Sequence, residues 1–261
     1  MNAYKQKIRA VLYGAGTFVL FLFIWHMAVI LSNSQIPFPT PIQVFQRFFH
    51  MLVNNVGYQY TIIGHVLWSL SRVFVGFCLA GVLGVILGLT MGWFRYVRAI
   101  FMPLFNLLRP IAPLAWIPLA ILWFGIGEKY KYFLIFIAAF VPFTLNSYAG
   151  ATHVDQQLIG AAKMLGASDS QVFFEIVVPS SVPSIFSGAQ VALSNSWMTM
   201  LAAEMVCATE GIGWIIVAGQ GVNDMTQMIA GMLGIGIVGF FLATGMRVLE
   251  RRCLVWKDQG R

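Results

Sequence analysis

The sequence predicts an all-α membrane protein with six transmembrane helices, and three observations carry the prediction. Hydrophobic residues fill 59% of the 261 positions and charged residues only 10%, too few to cover the surface of a soluble domain of this length. The mean hydropathy is +0.80. The apolar residues are gathered into runs of about twenty, the length that crosses a ~30 Å hydrocarbon core at ~1.5 Å per helical residue. Cys78, Cys207 and Cys253 are scattered and odd in number, which indicates neither a disulfide framework nor a zinc cluster. The net charge of +7 comes from basic residues beside apolar runs, not along one face, so it reports membrane topology and not nucleic-acid binding.

Taken in order, Val11 to Leu31 behind a basic start is the first span, expected to be retained because no A-x-A cleavage site follows it. In QIPFPTPIQVFQRFF prolines break the helix, and Phe45, Phe48 and Phe49 are expected to form the apolar side of a short amphipathic segment lying on the membrane surface. Val73 to Phe94 is the second span, extended toward the outer face by SLSR and stopped by Arg95 and Arg98; Arg72 is expected to snorkel at the outer interface. Ala99 to Gly127 is interrupted by Arg109, Pro103, Pro110, Pro113 and Pro118. A broken helix is tolerated only where protein or water covers the freed backbone groups, so this third element is expected to face inward. Tyr132 to Val154, Ser184 to Ala203 and Met225 to Met246 complete the six. The chain divides accordingly into an N-terminal helix with its surface segment (1–60), a transmembrane domain (61–250) containing a polar loop (155–180), and a tail (251–261).

With the amino terminus on the inside, eleven basic residues fall on inner segments (Lys5, Lys7, Arg9, Arg95, Arg98, Lys163, Arg247, Arg251, Arg252, Lys257 and Arg261). Three fall on outer ones (Arg47, Lys129 and Lys131). This bias predicts that both termini and the polar loop face the cytoplasm.

That loop, GAAKMLGASDSQVFFEIVVP from Gly160 to Pro179, reads as two short helices with a hinge. Gly166 suits the left-handed position that ends the first, and Ser168 with Gln171 forms a capping box for the second, with Asp169 in its first turn. Leu158, Ala161, Ala162 and Leu165 recur at helical spacing and give the first helix an apolar side. A helix resting on lipid ordinarily carries several basic residues, whereas here there is only Lys163, which favours a protein docking site.

The spacing of Gly160-Ala161-Ala162, Gly166 and Ile176-Val177-Val178-Pro179 resembles the EAA motif, E-A-A-x3-G-x9-I-x-L-P, of the permease subunits of bacterial ABC importers. Gly160 stands where the motif has glutamate and Val178 where it has leucine. SLSRVFVGF, LLRPIAPLAWIPLAILWFGIG and WMTMLAAEMVCATEGIGWII look like the branch that imports taurine, aliphatic sulfonates, nitrate or bicarbonate, and RVLERRCLVW is similar to the taurine and sulfonate members. The resemblance implies a type I importer permease fold in which Gly160, Ala161, Ala162, Lys163, Leu165, Gly166, Ala167, Ser168, Asp169 and Pro179 belong to coupling helices seated on a cytoplasmic ATPase. It further implies two ATPase subunits that carry ATP and magnesium, a periplasmic or lipid-anchored binding protein, a second copy of this chain, and residence in the bacterial inner membrane. The expected cargo is taurine or an alkanesulfonate, with nitrate, bicarbonate or a vitamin precursor as alternatives. A channel or a membrane enzyme without an ATPase partner is the reading from a different class.

The residues agree independently on several points. No GxxxxGK[ST] and no Gly-Lys dipeptide is present, so the chain lacks a phosphate-cradling loop and no nucleotide cofactor is expected on it. No HExxH or GxSxG occurs, and His26, His50, His65 and His153 are far apart, which disfavours an enzyme. Six spans make half a pore, so a path between two symmetry-related copies is expected.

Within the membrane, Arg109 is either a strut bonded to carbonyls freed by the nearby prolines, which those prolines favour, or a group lining an anion path. Glu204 has three open roles: holding a substrate cation, pairing with an arginine of the same chain, or standing wetted near an outer gate. Trp116 and Trp197 either line the path or pack as anchors. Gly76, Ala80, Gly84, Gly88 and Gly92 form a small-residue stripe, and Gly188, Ala192 and Ser196 a second; both read as helix-packing seams, with Ser196 also a candidate for the path.

Overall fold

A computed structural model of the chain describes residues 2–31, 38–57 and 60–254. The elements are α1 (Asn2–Leu31), α2 (Pro41–Val53), α3 (Ile62–Trp93), α4 (Arg95–Leu108), α5 (Ile117–Phe124) behind a 3-10 turn at Pro113–Trp116, α6 (Glu128–Thr152), α7 (Gln156–Met164), α8 (Asp169–Gln171), a π-helical stretch Val172–Val177, α9 (Val178–Cys207), α10 (Ile212–Gly221) and α11 (Met225–Cys253). Five helical runs among the described residues are long and apolar enough to cross a membrane, and six if α4 and the Pro113–Phe124 segment, bent by 87°, count as one.

The chain forms two compact units, one drawn from 1–62 and 215–234, the other from 63–214 and 235–261. In the first, α2 starts at a capping box in which Thr40 and Gln43 satisfy each other's backbone N–H groups. Its buried side is Pro41, Val44 and Met51, while Phe45 and Phe48 are half-buried and Phe49 is exposed. The aromatic side expected from the sequence is therefore one position out of register with the buried one. Arg47 donates to Asp224 at 2.9 Å and to Gln227 at 3.0 Å, which holds α2 on the start of α11.

The second unit is built around α6. The stripe on α3 packs on it so closely that a Cβ on Gly76 would stand 2.6 Å from Ile135 Cγ2, one on Gly84 2.8 Å from Phe143 Cβ, and those on Gly88 and Gly92 would overlap the Thr144 carbonyl and Ala151 Cβ. On its other side α6 receives Gly188, whose Cβ would lie 2.7 Å from Asn146 Cβ, and the buried Ala189 and Ala192. Both stripes are packing seams, because only small side chains let three long helices approach this closely. The opposite face of α3, with Phe74, Leu79, Val82 and Ile86, is exposed apolar surface, as lipid contact requires.

The broken third element is α4 followed by Pro113–Phe124. Ile117 and Ala120 pack with Tyr130 and Leu134 of α6, but the residues at the break are exposed, so the break borders a cavity and is not buried among helices. Its amides are satisfied locally: Arg109 N–H donates to Phe105, Ile111 to Leu108 and Ala115 to Ala112.

Candidate functional site

The polar loop begins where Asp155 caps α7 by accepting from the Gln157 amide at 2.8 Å. Gly166 has φ +87°, the left-handed conformation that ends α7, and Ala167 N–H returns to the Ala162 carbonyl at 3.0 Å. Ser168 and Gln171 form the capping box, and Lys163 pairs with Asp169 across the turn at 2.8 Å. The second helix differs from expectation. It is not a separate short helix: α8 runs through the π-helical stretch into α9, with Pro179 in the first turn of the latter. A push on α8 is thus a push on a membrane-spanning helix.

Phe173 wedges against Trp93 and Phe94, and Ile159 packs into the cluster of Leu89, Ala151, Val154 and Val177, so the loop is anchored to the ends of α3 and α6. Ile159 was missed in the sequence because it lies off the Leu158/Ala162/Leu165 spacing. Leu158, Met164 and Leu165 are exposed to 55%, 86% and 90%. Gly160 has open space where a side chain would project. The result is a braced protrusion with an uncovered apolar tip.

A cavity of about 930 Å³ lies between α4, α6 and α9. Its walls are mainly apolar, and its polar side chains include Asn106 from α4, Arg109 just past the end of α4, Asn146 from α6 and Asn195 from α9. Arg109 is the one charged residue lining it among the described residues, and no carboxylate does so. Arg109 is exposed and its side chain bonds no carbonyl among the described residues, so the described structure does not have the strut arrangement, and its guanidinium is left to the cavity. Asn106 and Arg109 are three residues apart and share one side of α4. Asn146 donates one amide hydrogen to the Pro142 carbonyl at 2.9 Å, which leaves its second for another acceptor. Trp116 lines the same cavity. Ser196 and Trp197 do not; Ser196 is buried with its hydroxyl unpaired, and Trp197 borders a separate groove against α11.

Glu204 is not among the residues lining the cavity and sits in a buried cluster. Its carboxylate accepts from Arg72 Nη1 at 2.8 Å, from Ser69 Oγ at 2.7 Å and from the Gly213 amide at 2.9 Å. Arg72 also donates to Glu128 through Nε and, at 2.7 Å, through Nη2, and Lys131 donates to Glu128 at 2.7 Å. Two cations and two carboxylates therefore balance. The Arg72 side chain is only 3% exposed, so it does not snorkel as expected: the guanidinium fork has carboxylate partners on α6 and α9 that sequence distance concealed. Glu204 takes the role of partner to an arginine of the same chain. The cluster also fixes the turn after α9, where Gly211 (φ +116°) donates to His65 Nδ1 at 3.1 Å and Ile212 to Ser69 Oγ at 3.1 Å. Any Cβ on Gly211 would overlap the Glu204 carboxylate.

Comparison with known proteins places these features in context. The family described as binding-protein-dependent transport system inner membrane component matches residues 80–254. The putative ABC transporter permease protein MJ0413 of Methanocaldococcus jannaschii is 37% identical over 235 residues, covering 90% of this chain and 88% of that one. The taurine transport system permease protein TauC of Escherichia coli K12 is 34% identical over 252 residues (96% and 92%). The nitrate import permease protein NrtB of Synechocystis is 32% identical over 240 residues (90% and 86%). The inward-facing structure of the MetNI methionine ABC transporter shares the fold, with a TM-score of 0.61 over 73% of this chain and 95% of that one at 18% identity.

Proposed function

The chain belongs to the binding-protein-dependent transport system inner membrane components, the permease subunits of ABC importers, and we propose that it carries a small oxyanion, with taurine or an alkanesulfonate first. It is itself non-catalytic, and as such a permease it works with an ATPase and a substrate-binding protein. The observation that carries the anion reading is the cavity, where one unpaired arginine and three asparagines face the space with no carboxylate among the lining residues. A guanidinium in an apolar wall lowers the barrier for an anion and raises it for a cation. Amides then bond oxygens without adding charge. The similarity to TauC supports a sulfonate, and that to NrtB keeps nitrate as the second reading.

In this proposal two copies enclose the path, and two ATPase subunits carrying ATP and magnesium dock on the cytoplasmic loops through Leu158, Leu165 and the turn at Gly166. ATP favours one of two permease states only through its different affinity for them, and the continuous α8–α9 run conveys that preference to the cavity wall at Asn195. Arg109 and Trp116 line the path; Ser196, Trp197 and Glu204 maintain its walls by packing and pairing. The test is uptake by the reconstituted complex across taurine, methanesulfonate, nitrate, bicarbonate and a neutral heterocycle. Arg109→Gln is expected to cut anion uptake at least tenfold with assembly unchanged. Preference for the neutral solute, or wild-type uptake by Arg109→Gln, refutes the anion reading.

A further inference from the structure

We propose that the groove between α9 and α11 binds an anionic phospholipid of the leaflet on the carboxyl-terminal side of α11. The groove measures about 420 Å³ and uses the side of α9 that carries Ser194, Trp197 and Met198, distinct from the Val191 and Asn195 side that lines the larger cavity. The two helices run antiparallel here, since Gln190 donates to the Glu250 carboxylate while Trp197 lies beside Gly239. That register gives the groove a polarity. Gln190 and Arg247 stand at one end, and Trp197, Met198 and Gly239 at the other, with Leu193, Ser194, Leu242 and Ala243 between.

The dimensions and charges fit a lipid. Gly239 to Arg247 is eight residues, ~12 Å of helix, within the ~15 Å half-thickness of a hydrocarbon core. Arg247 is the first charged residue after the charge-free run from Met225, and so stands at headgroup depth with the apolar end toward the bilayer centre. Its Nε donates to the Ala243 carbonyl at 3.3 Å, leaving both terminal nitrogens for a phosphate, which a guanidinium grips with two bonds. Arg251, one turn on, repeats the charge on the same side, and Arg252 adds to it. Among the described residues the carboxylate at this end is Glu250, which accepts from Gln190. A basic pocket between transmembrane helices recognises anionic headgroups. A free phosphate uses only the polar end and leaves the apolar half of the groove without a ligand, which selects the lipid.

The test is native mass spectrometry of the complete permease, purified in detergent and supplied with phosphatidylglycerol or phosphatidylcholine. The wild type is expected to retain phosphatidylglycerol at least fivefold over phosphatidylcholine. The exposed pair Arg247→Gln and Arg251→Gln should abolish that preference, and Arg247→Lys should keep part of it. Gly239→Leu, which fills the apolar end and leaves every charge in place, should lower retention of both lipids. Equal retention by the wild type, or wild-type preference in the Arg247→Gln, Arg251→Gln variant, overturns the proposal. So does displacement of phosphatidylglycerol by inorganic phosphate alone, or disulfide formation between Ser194→Cys and Ala243→Cys of two copies in intact membranes, since the occupant is then a free anion or a second chain.

Discussion

Replacing Glu204 by alanine strikes the cluster in which, among the described residues, α3, α6 and α9 are joined by charge. The substitution takes a carboxylate from Arg72 Nη1, Ser69 Oγ and the Gly213 amide, each of which donates to it at 2.9 Å or less, while Arg72 keeps Glu128 and the Glu210 carbonyl and Ser69 keeps the His65 carbonyl. Removing one partner of a buried ion pair costs about 3–5 kcal/mol when the other charge is left uncompensated, and the pairing of Arg72 with Glu128 that remains puts the cost near the lower figure. At roughly 2–4 °C per kcal/mol for a chain of this size, the unfolding midpoint should fall by about 10 °C. Arg72→Met with Glu204→Met removes both charges and leaves Glu128 paired with Lys131, so it should be more stable than the single alanine variant. Thermal unfolding of the purified permease, followed by intrinsic fluorescence, measures both. A fall below about 2 °C for the single variant, or a double variant no more stable than it, refutes the reasoning that the pair holds the unit together.

Three further outcomes are expected. Gly166→Val forces a β-branched residue to φ +87° and should lower substrate-stimulated ATPase activity of the complex while membrane insertion, read by fractionation, is kept. Gly88→Leu drives a side chain into the Thr144 carbonyl and Ser147 Cβ and should cost several kcal/mol by overpacking, visible as loss of monodisperse protein on size exclusion. Gly160→Glu meets no atom within 4 Å and should stabilise α7 by up to about 1 kcal/mol, so the permease should capture at least as much ATPase in a pull-down.

Much of the architecture follows from one-dimensional pattern. A helix that crosses a bilayer must satisfy its own backbone and face lipid, so run length and charge position place the spans without knowledge of their neighbours. Every-fourth-residue spacing in Gly76 to Gly92 likewise announces a seam, and Gly166, Ser168 and Gln171 announce the turn and cap, because these depend on residues within two helical turns. Whatever depends on partners distant in sequence was decided by tertiary structure. Arg72 is buried because Glu128 and Glu204, 56 and 132 positions away, meet it there. Arg109 faces a cavity because α4, α6 and α9 leave a space beside the break in the third element. The three asparagines meet only because α4, α6 and α9 bring them to one space. Charge and hydrogen-bond complementarity act through distance in space, and a sequence specifies those distances only once its helices have packed.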